Sequence, residues 1–335
     1  MNDSEANPLT GNQSSPSCST DATATCCANF YEQDLVQELM GGSYHPGGEN
    51  LSHTLVEKLE LPAGSSILDV ACGVGTTSRM MAAEFGLEVT GLDFSAINVS
   101  KATALFAKCA AGDEAQSPPD SSGLTSMVLN NAASQTDEPC CGPGESCCPP
   151  TEPAQGTTDQ IQSGDANFVQ GSAVDLPFDD RSFDGLTCEC AVSTFANQPK
   201  VAREFFRVLK PGGVFGMTDM VVNGDLPADF SEKVAPWTCM AKALTADGYR
   251  ELFAKEGFEF VQFKDFSHTL LELATDMKRK LVMAGMGKAI GALPSMSEAM
   301  GMSLAEMRQL LATSTELVRA GTIQYGLLLF RTTGK

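Results

Sequence analysis

From Ile67 the chain reads Ile67-Leu68-Asp69-Val70-Ala71-Cys72-Gly73-Val74-Gly75-Thr76-Thr77-Ser78, an apolar run that enters a turn on two glycines and then a helix. A second apolar run follows and ends on Asp93. This unit constrains the fold more than any other stretch, because strand, glycine turn, helix and strand are the opening elements of a parallel α/β sheet. The glycine turn lets backbone approach a ligand closely, and an acid at the end of the next strand is placed to bond a ribose diol. A dinucleotide and S-adenosylmethionine both fit that geometry. Asp69 separates them: a carboxylate at the mouth of the turn repels a pyrophosphate and suits the ammonium of a methionine moiety. Ser78, standing where the dinucleotide fingerprint has its third glycine, points the same way.

The alternation continues along the chain. Strand 67–71, helix 76–85, strand 88–92 and helix 95–109 are followed from about Gly112 to Ala166 by Ser, Pro, Gly, Gln and Asp without an aromatic residue, the composition of a disordered insertion. The core resumes at 167–171. Strand 183–188, a helix at about 199–209, a turn at Lys210-Pro211-Gly212-Gly213 and strand 214–219 come next. Beyond it, 247–256 reads as helix, 258–266 as extended and 268–320 as largely helical, and the apolar run 322–331 pairs antiparallel with 258–266. The expected fold is α/β, a doubly wound, seven-stranded and mostly parallel sheet with a disordered insertion. It divides into a disordered tail (1–25), a helical cap (26–60, with helices at about 30–40 and 51–59), a core (61–222, interrupted at 112–166) and a C-terminal part (223–335) that completes the sheet.

Charge excludes several functions. With 42 acidic against 22 basic residues the formal net charge is -20, and no basic cluster is present to track a phosphate backbone. Neither nucleic acid nor a membrane is an expected partner. The polar start MNDSEANPLTGNQSSPS lacks the basic and apolar regions of a secretory signal, so a cytoplasmic location is expected. Twelve cysteines in such a chain are expected to remain thiols, free for metal, metalloid or redox chemistry.

The run LDVACGVGTTS with its acid at Asp93 resembles the first two motifs of the class I S-adenosylmethionine-dependent methyltransferases, and RVLKPGG before an apolar strand resembles the approach to their fifth strand. The resemblance implies a cofactor site of Asp69, Ala71, Cys72, Gly73, Gly75, Thr76, Asp93 and Phe94, with Glu189 at the end of the fourth strand. Ser172 and Ala173 take the position that borders adenine, where the family usually has Asp. Tyr44 to Gly48 either close over the methionine end or form only a turn into a helix. His45 reads as structural, since nothing in the sequence pairs it with a carboxylate.

Ligands of doubly wound sheets bind beyond the carboxyl ends of the strands, which places Cys190 toward the transferable methyl, and Cys188 is expected to lie buried below it. A thiolate there suits a soft, thiophilic acceptor. In these features the chain resembles the arsenite methyltransferases, which carry a cysteine pair before the core, a cysteine in a setting like CECAVSTF and another in one like WTCMAKAL. That resemblance implies arsenic(III) held by Cys27 or Cys26, Cys190 and Cys239, with Cys27, Cys190 and Cys239 as the catalytic set. Trivalent arsenic needs no general base, and the sequence offers no Ser/His/Asp set. Thioredoxin or glutathione is the expected reductant of a Cys27–Cys190 disulfide. The insertion's CCGPGESCC reads either as a thiol trap that delivers metalloid or as a tolerated segment with incidental thiols. Cys72, within the turn, and Cys109, in a helix, are not assigned acceptor roles.

Overall fold

The structure is a computed structural model that describes residues 45–110, 164–234, 240, 242–285 and 302–334. The expected tail, the helix at 30–40, the cysteine pairs at Cys26-Cys27 and Cys140-Cys141 with Cys147-Cys148, Tyr44 and Cys239 lie outside the described residues. In chain order the elements are α1 (Gly48–Leu59), β1 (Ser66–Val70), α2 (Thr76–Phe85), β2 (Glu88–Asp93), α3 (Ala96–Ala110), β3 (Ala166–Gln170) and β4 (Phe183–Glu189). They continue with α4 (Gln198–Val208), β5 (Leu209–Val222), α5 (Ala228–Val234), α6 (Ala246–Ala254), β6 (Phe258–Asp265), α7 (Ser267–Gly285), α8 (Leu304–Arg319) and β7 (Ile323–Thr332).

The seven strands form one sheet in the order β3-β2-β1-β4-β5-β7-β6. The first five are parallel, and β7 runs antiparallel between β5 and β6, as expected for the terminal hairpin. Three boundaries differ from expectation. Helix α1 begins at Gly48 rather than 51, because Gly47, at φ 86°, caps it in the left-handed region open to glycine. Strand β3 begins at Ala166, inside the range given to the insertion, because Asp165 already accepts the Val89 N–H at 2.8 Å. Lys210-Pro211-Gly212-Gly213 is not a turn ahead of β5 but part of it. Phe183 pairs with Leu209 and Gly185 with Val214, so these four residues bulge from the ladder.

Period-2 alternation distributes the core over both faces. On β7, Tyr325, Leu327 and Leu329 face the layer containing Leu51, Leu55 and Leu59 of α1, and Leu328 and Phe330 face the layer of Phe205, Phe253 and Phe258. Phe215 joins that second layer, with ring centroids 5.2 Å from Phe205, 4.9 Å from Phe253 and 5.5 Å from Phe330. Helix α1 crosses the sheet closely where glycine permits it. A Cβ on Gly216 would meet Leu55 at 2.8 Å and Leu59 at 2.9 Å, and one on Gly185 would meet Leu61 at 2.5 Å. The N-terminal end of α1 is thereby held at the carboxyl edge of the sheet. Among the described residues no helix is long and apolar enough to cross a membrane.

Phe215→Ala is expected to remove about 3–5 kcal/mol of unfolding free energy, measured by denaturant titration. A loss under about 1 kcal/mol would show that the aromatic layer is not a close-packed core.

Candidate functional site

The strand order reverses between β1 and β4, and the two carboxyl ends there share an uncommon geometry. Ala71 leaves β1 at φ 61° and Cys190 leaves β4 at φ 52°, both non-glycine residues in the left-handed region. Such backbone costs about 1–3 kcal/mol per residue and persists where its surroundings over-determine it. Around Cys190 the surroundings do so. Its N–H donates to the Thr218 carbonyl at 2.7 Å, and the following 3₁₀ turn, Val192–Thr194, is held by the buried carboxylate of Asp219. That carboxylate accepts the Ser193 N–H at 2.9 Å, the Ser193 hydroxyl at 2.5 Å and the Met220 N–H at 2.7 Å. Cys190 is half-buried, on the face of the core that holds Tyr325, whose hydroxyl donates to Thr218 Oγ1 at 3.1 Å.

The glycine turn has the expected form. Gly73 and Gly75 have φ 56° and 77°, and a Cβ on Gly75 would lie 2.6 Å from the Phe168 ring. Asp93 ends β2 with Oδ2 accepting the Gly73 N–H at 2.9 Å and Oδ1 accepting the Ser95 N–H at 2.8 Å, so it ties the turn to the second strand. Phe94 beside it is 53% exposed, a flat apolar face at the cleft. Gly171 donates to the Asp93 carbonyl at 3.0 Å, which brings Ser172 and Ala173 alongside. Thr76 opens α2, with Gly75 as its cap.

Asp69 is a correction. Expected at the mouth of the turn, it is buried instead, accepting from the Ser78 hydroxyl at 2.6 Å and the Thr187 hydroxyl at 3.0 Å. Its position in β1, between β2 and β4 in the sheet, turns the carboxylate into the sheet–helix layer. Ser78 supplies for this bond a hydroxyl that a glycine would lack. The acid at the mouth is Glu189. It accepts from Ser52 Oγ at 3.0 and 3.1 Å and from Thr77 Oγ1 at 2.8 Å, and His45 Nε2 lies 3.5 Å away. His45, read from sequence as lacking an acidic partner, therefore has one. Both ring nitrogens are engaged, Nδ1 with the Pro46 carbonyl at 3.1 Å and Nε2 with Ser52 and Glu189, so neither is presented to a substrate as a base.

The thiols divide by environment. Cys188 is fully buried, and burial pushes its thiol well above the ordinary range, which keeps it neutral in the core as expected. Cys72 is likewise pushed up by burial; its Sγ would meet a Cβ on Gly91 at 3.0 Å, so it points back over β2. Cys190, half-buried like Cys72, stands at the carboxyl end of β4. Its expected companions Cys26, Cys27 and Cys239 are not among them. The described residues contain no cluster of three or more His, Cys, Asp or Glu side chains able to hold a metal.

Sequence reading missed Ser52, Thr77 and Asn98. Asn98 Nδ2 donates to Asp93 Oδ1 at 3.3 Å, while its Oδ1 is buried without a partner among the described residues. A diol hydroxyl brought to Asp93 would supply that donor, so the cleft fits the ribose of an adenosyl ligand. The signal was faint: an amide five residues after the acid, on the first turn of α3.

Two family models match the chain: one described as a methyltransferase domain, over residues 152–257, and one as mycolic acid cyclopropane synthetase, over residues 21–117. The sarcosine/dimethylglycine N-methyltransferase of Aphanothece halophytica is 26% identical over 210 residues, 63% of this chain and 57% of that protein. The chain thus spans less than two-thirds of that relative's length. Among solved structures, the phosphoethanolamine N-methyltransferase 2 of Haemonchus contortus in complex with S-adenosyl-L-methionine superposes with a TM-score of 0.62 at 16% identity, over 90% of this chain and 56% of that one. The [4+2]-cyclase SpnF gives 0.62 at 16% identity, over 93% and 97%. A cyclase among them illustrates that the shared fold leaves the reaction open.

Burial pushes the carboxyls of Asp69 and Asp219 each up to about 7, against the hydrogen bonds they accept. The folded chain holds their protons where the unfolded chain has released them, so stability falls as pH rises from about 4 to about 7. The melting temperature is accordingly expected to be higher near pH 5.5 than near pH 8, and Asp219→Asn, which imitates the neutral carboxyl, should shrink the difference. A variant with the full wild-type pH dependence would contradict this assignment for Asp219.

Proposed function

We propose that this chain, a member of the class I S-adenosylmethionine-dependent methyltransferases, transfers the donor's methyl group to thiolate-bound trivalent arsenic, arsenite or methylarsenite. The observation that carries the reading is Cys190, a half-buried thiol held in strained backbone at the carboxyl end of β4, on the strand that adjoins the donor strand β1. Bound S-adenosylmethionine supplies a methyl group made electrophilic by its sulfonium centre. Asp93 and Asn98 hold the ribose, Phe94 and the Ser172–Ala173 loop border the adenine, and Gly73 and Gly75 admit the backbone close to the ligand.

Cys190, with Cys239 and Cys27 or Cys26, would hold arsenic in line with the methyl carbon. The arsenic lone pair forms the new arsenic–carbon bond as the carbon–sulfur bond breaks, and that bond's electron pair stays on the departing sulfur. Arsenic is oxidised from trivalent to pentavalent in the step. Two thiolates, such as Cys27 and Cys190, return two electrons by closing to a disulfide, which thioredoxin or glutathione reopens. No proton has to be removed from arsenic, which agrees with a cleft in which both nitrogens of His45 are already engaged. The protein's contribution is placement of the acceptor and exclusion of water.

A second reading, methyl transfer to a small organic carbon, oxygen or nitrogen acceptor, is favoured by the amine acceptor in the name of the Aphanothece halophytica relative. A thiol-rich metalloid-binding protein on the same scaffold is the third.

Incubation with labelled donor, arsenite and thiol reductant, followed by arsenic speciation, separates them. Methylated arsenicals are expected. Cys190→Ser should cut their formation by about a hundredfold or more while S-adenosylhomocysteine binding, measured calorimetrically, stays unchanged. Donor binding without any methylated arsenical would overturn the arsenic reading, and turnover of an organic acceptor unaffected by Cys190→Ser would establish the second.

A further inference from the structure

One amide links the turn that follows Cys190 to the stretch of chain that follows Cys239. Gln198 is the first residue of α4 and is half-buried. Helical side chains lean toward the N-terminus, so from this position Gln198 reaches back beyond the start of the helix. That start is fixed by Asn197, whose Oδ1 accepts the Lys200 N–H at 3.1 Å, and by Pro199, which has no N–H to satisfy. Nε2 of Gln198 donates to the Val192 carbonyl at 3.0 Å and to the Lys242 carbonyl at 3.0 Å. A carboxamide nitrogen carries two hydrogens, and here each goes to a different segment. Lys242 returns the link, its Nζ donating to the Ala196 carbonyl at 3.2 Å.

Each segment also has an anchor of its own on β5. The turn Val192–Thr194 hangs on Asp219, and the Leu244 carbonyl accepts the Val222 N–H at 3.1 Å. Along a strand those two positions stand about 10 Å apart. Strand β5 thus sets where each segment rests, and Gln198 sets the distance between them. Cys190, Met240 and Ala243 are all partly buried against the core layer of α1 and β7, so both segments lie on one side of the sheet. Cys239 immediately precedes Met240, and consecutive Cα atoms are about 3.8 Å apart.

Resting on the arsenic reading made above, we propose that Gln198 is a positioning residue for the acceptor, holding the turn after Cys190 and the segment after Cys239 at the separation at which both thiols meet one arsenic atom. It acts through the backbone carbonyls of the two segments rather than by contact with arsenic. Sulfurs that share one arsenic atom have to approach each other closely. A misplacement of about 1 Å at a reacting site is enough to lower the rate on the order of a hundredfold. A side chain of similar size without the two donors would leave both β5 anchors in place and lose only the spacing.

The test is a double-mutant cycle read by calorimetry. It uses the full chain with Cys140, Cys141, Cys147 and Cys148 replaced by serine, so that the insertion takes up no arsenic, and a phosphine reductant that adds no thiol. Arsenite and S-adenosylhomocysteine are titrated separately into this parent, Gln198→Met, Cys239→Ser and the double variant. Gln198→Met should bind arsenite about tenfold more weakly or worse than the parent, with S-adenosylhomocysteine affinity unchanged. In Cys239→Ser, arsenite binding should be weak or absent whichever residue stands at 198. Lys242→Met, which keeps the Lys242 carbonyl, is the second variant and should show a smaller loss confined to arsenite. Parental arsenite affinity in Gln198→Met would overturn the positioning role. So would the same loss with and without Cys239, or a parallel loss of S-adenosylhomocysteine binding, since either marks a general brace of the fold. If the parent bound S-adenosylhomocysteine but no arsenite, the arsenic reading itself would fail and this role with it.

Discussion

Asp69 joins three elements at the place where the sheet divides. The carboxylate lies on β1, and the hydroxyls that reach it come from Thr187 on β4 and Ser78 on α2. One buried side chain thereby sets how the glycine turn sits against the strand that carries Glu189 and Cys190. Burying it opposes ionisation, and the hydrogen bonds from both hydroxyls only partly offset that. Asp219 does corresponding work one strand further on, tying the turn after Cys190 to β5. Two inward-facing acids hold the cleft, and two further acids, Asp93 and Glu189, stand at the strand ends.

The division of labour among the carboxylates also explains why strained backbone persists there. Ala71 and Cys190 occupy left-handed conformations in neighbouring strand exits, and each exit is fastened on both sides. The Cys72 N–H donates to the Leu92 carbonyl at 3.1 Å, and the Cys190 N–H to that of Thr218. The hydrogen bonding continues past the strain on either side, with Ala71 packed against one core layer and Cys190 against the other. At Cys190 the strained residue is a thiol.

Much of the architecture was legible before the structure. The glycine turn, the acid at Asp93 and the terminal hairpin are written in local patterns: periodicity, glycine spacing and a residue at a strand end. The direction of Asp69 was not, because Ser78 and Thr187 converge on it only after β1 and β4 pair. The same holds for His45, whose acidic partner is 144 residues away in the chain yet 3.5 Å away in space. Lys210 to Gly213 misled in the opposite sense. Pro and Gly read locally as a turn, but the ladder on both sides absorbs them as a bulge held by Thr332, whose hydroxyl donates to the Lys210 carbonyl at 2.8 Å. Local chemistry names the ligand-facing backbone; the polar side chains that complete the cleft are set by long-range pairing.

Whether Cys190 holds the acceptor beside the donor decides the nature of the acceptor. Arsenic K-edge X-ray absorption on the full chain loaded with arsenite and S-adenosylhomocysteine measures this directly. Sulfur neighbours around trivalent arsenic are expected, with one sulfur lost in Cys190→Ser. A shell of oxygen alone, or a sulfur shell unchanged by Cys190→Ser, would contradict this assignment.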